Sequence, residues 1–192
     1  MVSDNKKTLR LVQKAMLTAL ATVLMLTVRF PLLPSAKFLE YDMGDVPVII
    51  AALMFGIPAG IAMLTAEALI QSLTVSAASS WEGFVMHVLA SSLFIVITYV
   101  FYAAGKKKGR TKIFLISGLA VSAIATAAFM IPLNLIFTPL YLGVPVQAVK
   151  EMLLPVIIPF NLIKGAINMI AVIAVFLPLE KILKKTHLSE AT

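Results

Sequence analysis

Pro159-Phe160-Asn161-Leu162-Ile163-Lys164-Gly165-Ala166-Ile167-Asn168-Met169-Ile170 lies inside an apolar run long enough to cross a bilayer, and it carries a lysine at its middle. An ammonium left in lipid costs roughly 2.5 to 3.5 kcal/mol even on a lenient insertion scale, so such a residue faces a partner, a cavity or a pathway. At about 100° per residue, positions 161, 164 and 168 fall within an arc of about 60°. One face of this helix therefore carries an amide, an ammonium and a second amide. That pattern predicts a polar stripe turned toward the inside of a bundle.

The rest of the chain has the same apolar character. Of its 192 residues, 60% are hydrophobic and 13% charged, and the mean hydropathy of +1.00 is far above that of soluble domains. The expected class is an all-α integral membrane protein. At about 20 residues per crossing, a chain of this length makes a compact bundle of about six transmembrane helices and one transmembrane domain, 1–192. With no cysteine there is no disulfide framework and no thiolate metal site, and the two histidines, His87 and His187, are far apart in sequence. The net charge of +7 does not point to nucleic acid, because the basic residues flank apolar runs without forming a basic domain.

The apolar runs read as spans at 9–28, 46–55, 57–75, 84–104, 113–137 and 153–177. The second is short enough to be either a tilted span or one arm of a bent helix. Loop charge decides for six. Lys6, Lys7, Arg10 and Lys14 precede the first span, Lys106, Lys107, Lys108, Arg110 and Lys112 separate the fourth from the fifth, and Lys181, Lys184 and Lys185 follow the sixth. Six crossings put all of these on one side, which the positive-inside rule makes cytoplasmic, with both termini; five would not. The connections Arg29 to Gly44, Ser76 to Gly83 and Thr138 to Met152 are then extracytoplasmic, and Gly56-Ile57-Pro58-Ala59-Gly60 makes a tight cytoplasmic turn. The basic start followed by an apolar stretch also resembles a secretory signal, but its apolar part exceeds the usual length of about 7 to 15 residues. No internal repeat is evident, which weighs against an inverted-repeat carrier.

Asn134, beside Pro132 near the outer end of the fifth span, is expected to face Asn161 and Lys164 across the bundle, forming a site open to the outside. The loop Lys37-Phe38-Leu39-Glu40-Tyr41-Asp42-Met43-Gly44-Asp45-Val46-Pro47 reads either as a lid over that site or as an interfacial anchor. Glu67 and Gln71 share a face of the third span, and His87 lies in the fourth. Glu67 reads as structural or lysine-paired and His87 as an interhelical hydrogen bonder, with Glu40 and Glu67 as the acids available to Lys164. No metal motif, nucleophile elbow or phosphate loop is present, so neither catalysis nor ATP hydrolysis is expected of this chain. On the first span, Ala15 and Ala19 one turn apart leave room for another helix to approach closely.

Taken together, Ala15-x-x-x-Ala19, Phe38-Leu39-Glu40-Tyr41-Asp42 running into Asp45-Val46-Pro47, Phe55-Gly56, Pro132-x-Asn134 and Pro159-Phe160-Asn161-Leu162-Ile163-Lys164-Gly165 resemble the substrate-binding S components of energy-coupling factor (ECF) vitamin transporters. The resemblance is closest to the riboflavin branch and covers nearly the whole chain. It implies a multi-pass protein of a prokaryotic cell membrane that captures riboflavin from outside. The captured vitamin crosses as the S component topples in the membrane, docked on one transmembrane coupling protein and two ATPases. FMN is a second candidate ligand, and no cofactor is implied. By the same resemblance Leu39, Glu40, Tyr41, Asn134, Asn161 and Lys164 contact the vitamin, and Ala15 and Ala19 meet the coupling protein; helical spacing adds Asn168 to the substrate-binding set. The alternatives are an S component for another vitamin and an autonomous proton-coupled carrier using Glu67, His87 and Lys164 as a relay.

Overall fold

The computed structural model describes residues 2–76 and 80–185; His187 and part of the connection between Ser76 and Gly83 lie outside these. Helix dominates. In chain order the elements are α1 (Val2–Thr27), β1 (Arg29–Pro31), β2 (Glu40–Asp42), α2 (Asp45–Phe55), α3 (Ile57–Leu73), α4 (Ser80–Lys107), α5 (Thr111–Leu142), α6 (Val146–Met152), a π-helical turn (Leu153–Ile157) and α7 (Ile158–Lys185). Among the described residues, four stretches are long and apolar enough to cross a membrane: Lys7–Thr27, Trp81–Lys107, Thr111–Leu142 and Val146–Leu183. The helices α2 and α3 are shorter apolar segments.

The expectation of a purely helical chain needs one addition. Within the segment expected to be a loop, β1 and β2 pair antiparallel in the register Arg29↔Asp42, Phe30↔Tyr41 and Pro31↔Glu40. The pair is held by an Arg29–Glu40 ion pair and by Phe30 and Tyr41 rings 5.5 Å apart. Three residues per strand are too few for a period-two pattern to show in the sequence. A second difference lies beyond position 137, the expected end of the fifth span, where α5 runs on through Pro139 to Leu142, and α6 follows where a loop was expected. Within this outer part of α5 the Asn134 amide donates to Met130 O (2.7 Å) and the Thr138 hydroxyl to Asn134 Oδ1 (2.8 Å).

The central element is α2. Every residue from Asp45 to Leu53 is buried, and α1, α3, α4 and α7 wrap around it. An 11-residue helix is about 16 Å long, half of a hydrocarbon core of about 30 Å. Its shortness has a local reason: the strand pair and its loop take up the chain immediately before it, so the helix begins only at Asp45. The turn into α3 depends on Gly56, whose φ of +92° is disfavoured for residues with a Cβ. Helices α5 and α7 meet closely at Gly165, where an added Cβ would lie 2.6 Å from that of Ala123.

The two ends of the bundle differ. Around the Gly56 turn, the Lys14 ammonium sits 5.6 Å over the Phe55 ring and that of Lys106 5.1 Å over Tyr102, whose hydroxyl donates to Glu180 (3.3 Å). The basic residues of α1 and α4 thus gather at one end. The strand pair, the start of α4 and the end of α5 converge at the other, around a cavity.

Candidate ligand-binding site

The cavity, of about 210 Å³, is bordered by the strand loop, α2, α3, α4, α5 and α7. Five aromatic rings, of Phe38, Phe84, Phe94, Tyr141 and Phe160, stand in its wall among aliphatic and polar side chains. Phe38 and Tyr141 stand 6.2 Å apart, centroid to centroid, joining the strand loop to the end of α5.

On α7 the periodicity works out as its spacing requires. Leu162, Ile163 and Ile170 are exposed on the outer side, while Asn161, Gly165 and Asn168 are buried and Lys164 is half-buried, pointing inward. Lys164, Asn161 and Asn168 line the cavity together with Asn134, Leu39 and Glu40. Asn134 and Asn161 each turn their amide back onto a carbonyl of their own helix, Met130 O (2.7 Å) and Ile157 O (2.8 Å). Tyr41 is the exception among the expected residues. It lies beneath the lining, 2% exposed, and its hydroxyl donates to Asn168 Oδ1 at 3.1 Å. Burial pushes the Tyr41 phenol from an ordinary 10.0 up to about 12.

The partner of Lys164 is neither Glu40 nor Glu67, the two acids expected from sequence. Its ammonium lies 3.1 Å from Asp45 Oδ2 and 3.9 Å from Asp42 Oδ2. Glu40 is taken by Arg29 at the cavity mouth, and Glu67 Oε2 lies 3.5 Å from His87 Nε2, so Glu67 faces a histidine and does not supply the lysine's ion pair. The reason is geometric: the second half of the strand loop dives inward, carrying Asp42 and then Asp45 to the depth of Lys164. Asp42 is held by the Gly44 amide (3.1 Å) and by Gln71 Nε2 (3.2 Å). Asp45 occupies the first turn of α2, where the helix dipole favours a carboxylate. It accepts Ser91 Oγ (2.8 Å) and Asn168 Nδ2 (3.4 Å), and His87 Nε2 is 3.6 Å away.

Asp42, Asp45, Gln71 and Ser91 are therefore site residues that sequence reasoning did not assign. One signal existed. A buried ammonium needs a buried acid, and Asp45, directly before the apolar run of α2, is the acid nearest to a span start. Chemically, the site offers aromatic and aliphatic surface, amides able to donate and accept, and one fixed cation compensated on its inner side. No group of acids, histidines and cysteines suited to a metal occurs among the described residues.

With this geometry in view, comparison with known proteins gives a consistent result. A family model described as the ECF transporter, substrate-specific component, matches residues 9–176. The riboflavin transporter RibU of Lactococcus lactis subsp. cremoris is 33% identical over 138 residues, 70% of this chain and 65% of that protein, so the match spans just under two thirds of that relative. The riboflavin transporter FmnP of Bacillus subtilis is 34% identical over 186 residues, 91% of this chain and 93% of that protein. A solved structure of the S component of a bacterial ECF transporter has a TM-score of 0.76 and 32% identity, covering 93% of this chain and 99% of that one. These relatives are transporter components and not enzymes. On fold and on sequence alike, this chain belongs to the substrate-specific S components of ECF transporters.

Proposed function

We propose that this chain is a riboflavin-binding S component that crosses the cell membrane six times with both termini in the cytoplasm. It captures the vitamin on the outer side and docks on a coupling protein carrying two ATPases. The observation that carries the reading is the convergence of Asn134, Asn161, Lys164 and Asn168 on one cavity with five aromatic rings in its wall, beneath a loop contributing Leu39 and Glu40. Riboflavin has a flat ring system whose imide edge presents carbonyls and an N–H, attached to a chain of hydroxyls. Asparagine amides can serve both sides of such an edge, and a lysine supplies donors to a carbonyl or hydroxyl. Aromatic walls suit the ring system. Tyr41 acts from beneath by orienting Asn168. The riboflavin transporters among its relatives support the same ligand class.

Sidedness follows from charge. The basic end of the bundle, at Lys14 and Lys106, is cytoplasmic by the positive-inside rule, which turns the cavity outward. For docking, Ala15 and Ala19 are exposed on α1 beside Leu11, Met16 and Leu20, an open apolar face on which a second helix can lie close.

The test is direct. Purified protein is expected to be yellow with a flavin absorption band, or to quench the fluorescence of added riboflavin on saturable binding. Colourless protein that fails to quench ends the riboflavin assignment. Vitamin uptake by the chain reconstituted without any ATPase module would replace this reading with an autonomous carrier.

A further inference from the structure

Asp45 is the most heavily engaged side chain in the protein's interior, and each of its contacts comes from another element. A carboxylate offers about four acceptor positions. Oδ1 faces Ser91 Oγ at 2.8 Å and His87 Nε2 at 3.6 Å, both from α4; Oδ2 faces Lys164 Nζ at 3.1 Å and Asn168 Nδ2 at 3.4 Å, both from α7. Little of Asp45 is left for a ligand: it is 3% exposed, although it lies at the cavity floor. What it does is hold two groups that border the cavity. A lysine stem is long and flexible, with about 2 kcal/mol of rotamer entropy, and an ammonium has three donors. One donor directed to Asp45 fixes the stem and leaves others facing the cavity. Asp42, at 3.9 Å and closer to the strand loop, is the competing carboxylate to which the ammonium would turn without Asp45.

We propose that Asp45 is a positioning residue of the site: it fixes the aim of Lys164 and so sets ligand affinity through it without contacting the ligand. This rests on the riboflavin reading above. The experiment is a double-mutant cycle on the full chain in detergent, read by quenching of riboflavin fluorescence, with thermal midpoints recorded for every variant. Asp45→Asn keeps the shape and removes the charge, and is expected to weaken binding about 10- to 100-fold, the loss that follows a charge-assisted hydrogen bond. In a Lys164→Met background the same change is expected to add little, because the residue through which Asp45 acts is already gone. Unchanged affinity in Asp45→Asn, or an equal loss in both backgrounds, overturns the proposal; equal losses would mean that Asp45 only supports the fold. Should Asp45→Asn fail to fold, Ser91→Ala removes a single bond that aims Asp45. It is expected to weaken binding a few-fold in the native background and not at all with Lys164→Met, and equal losses again overturn the proposal. A native chain that does not quench riboflavin at all overturns the riboflavin reading itself, a result distinct from any of these.

Discussion

Lys164 shows how a single costly residue organises its surroundings. Its ammonium compensates Asp45 and stands near Asp42, both nearly inaccessible, so deleting it leaves carboxylates buried without a counter-charge. Lys164→Ala is therefore expected to do two things: weaken riboflavin binding by about 10-fold or more, and lower the thermal midpoint, since breaking a buried pair costs about 3–5 kcal/mol. A change in binding with an unaltered midpoint would show that the carboxylates find another cation. Tyr41 gives a second prediction. Its phenol titrates higher in the folded chain than its ordinary 10.0, so the stability it contributes is complete below about pH 10 and disappears as pH rises through about 12. Comparing alkaline unfolding of the native chain with Tyr41→Phe checks this, and the variant should lose less stability across that window. At this scale the sequence was legible where a residue violated its context, as Lys164, Asn161 and Asn168 do. It was not legible where the answer lay in long-range pairing: Asp45 and Asn168 are 123 residues apart, and nothing local marks one as the other's partner.

Among the elements, the four long apolar helices could be read from hydropathy and length, because a membrane-crossing helix must be apolar over its whole run. The ends of α5 could not. The apolar run reads as ending at 137, yet the helix continues through Pro139 to Leu142. The strand pair escaped for want of length, and its absence from the reading hid the inward dive that brings Asp42 and Asp45 to the cavity floor. Close helix contacts leave a clearer test. Gly165 sits one residue from Lys164 with Ala123 against its backbone, so Gly165→Val is expected to push α5 and α7 apart at a cost of about 1–3 kcal/mol. Adding Ala123→Gly should restore part of the lost thermal midpoint, whereas a double variant no more stable than Gly165→Val would place the strain elsewhere.

For the whole molecule, the division between a cavity at one end and an open apolar face on α1 predicts separable losses. Replacing Ala15 and Ala19 together with tryptophan is expected to leave riboflavin affinity within about twofold and to abolish uptake in cells or proteoliposomes containing the ATPase module, because bulky side chains prevent close helix approach. Lost binding with preserved uptake would reverse the assignment of the two faces. Composition alone already located the chain in a membrane class, and the asymmetry of Lys and Arg gave an orientation. The face used for docking could not be inferred from exposure, since lipid-facing helices all expose apolar residues, and it rested on the spacing of two small ones.

The short, wholly enclosed α2 has an electrical consequence. Under the proposed orientation, a water-filled cavity would carry the outside potential down to Asp45 and Lys164. The membrane voltage would then fall mainly over the roughly 16 Å length of α2, giving a field about twice that in a uniform bilayer core of about 30 Å. Moving one elementary charge through the full drop involves about 2.3 kcal/mol per 100 mV. Riboflavin, being uncharged, would be carried through that field without electrical work, and a phosphorylated flavin would not. In the proposed orientation the charge of the cargo, as well as its shape, would therefore count in whether it crosses.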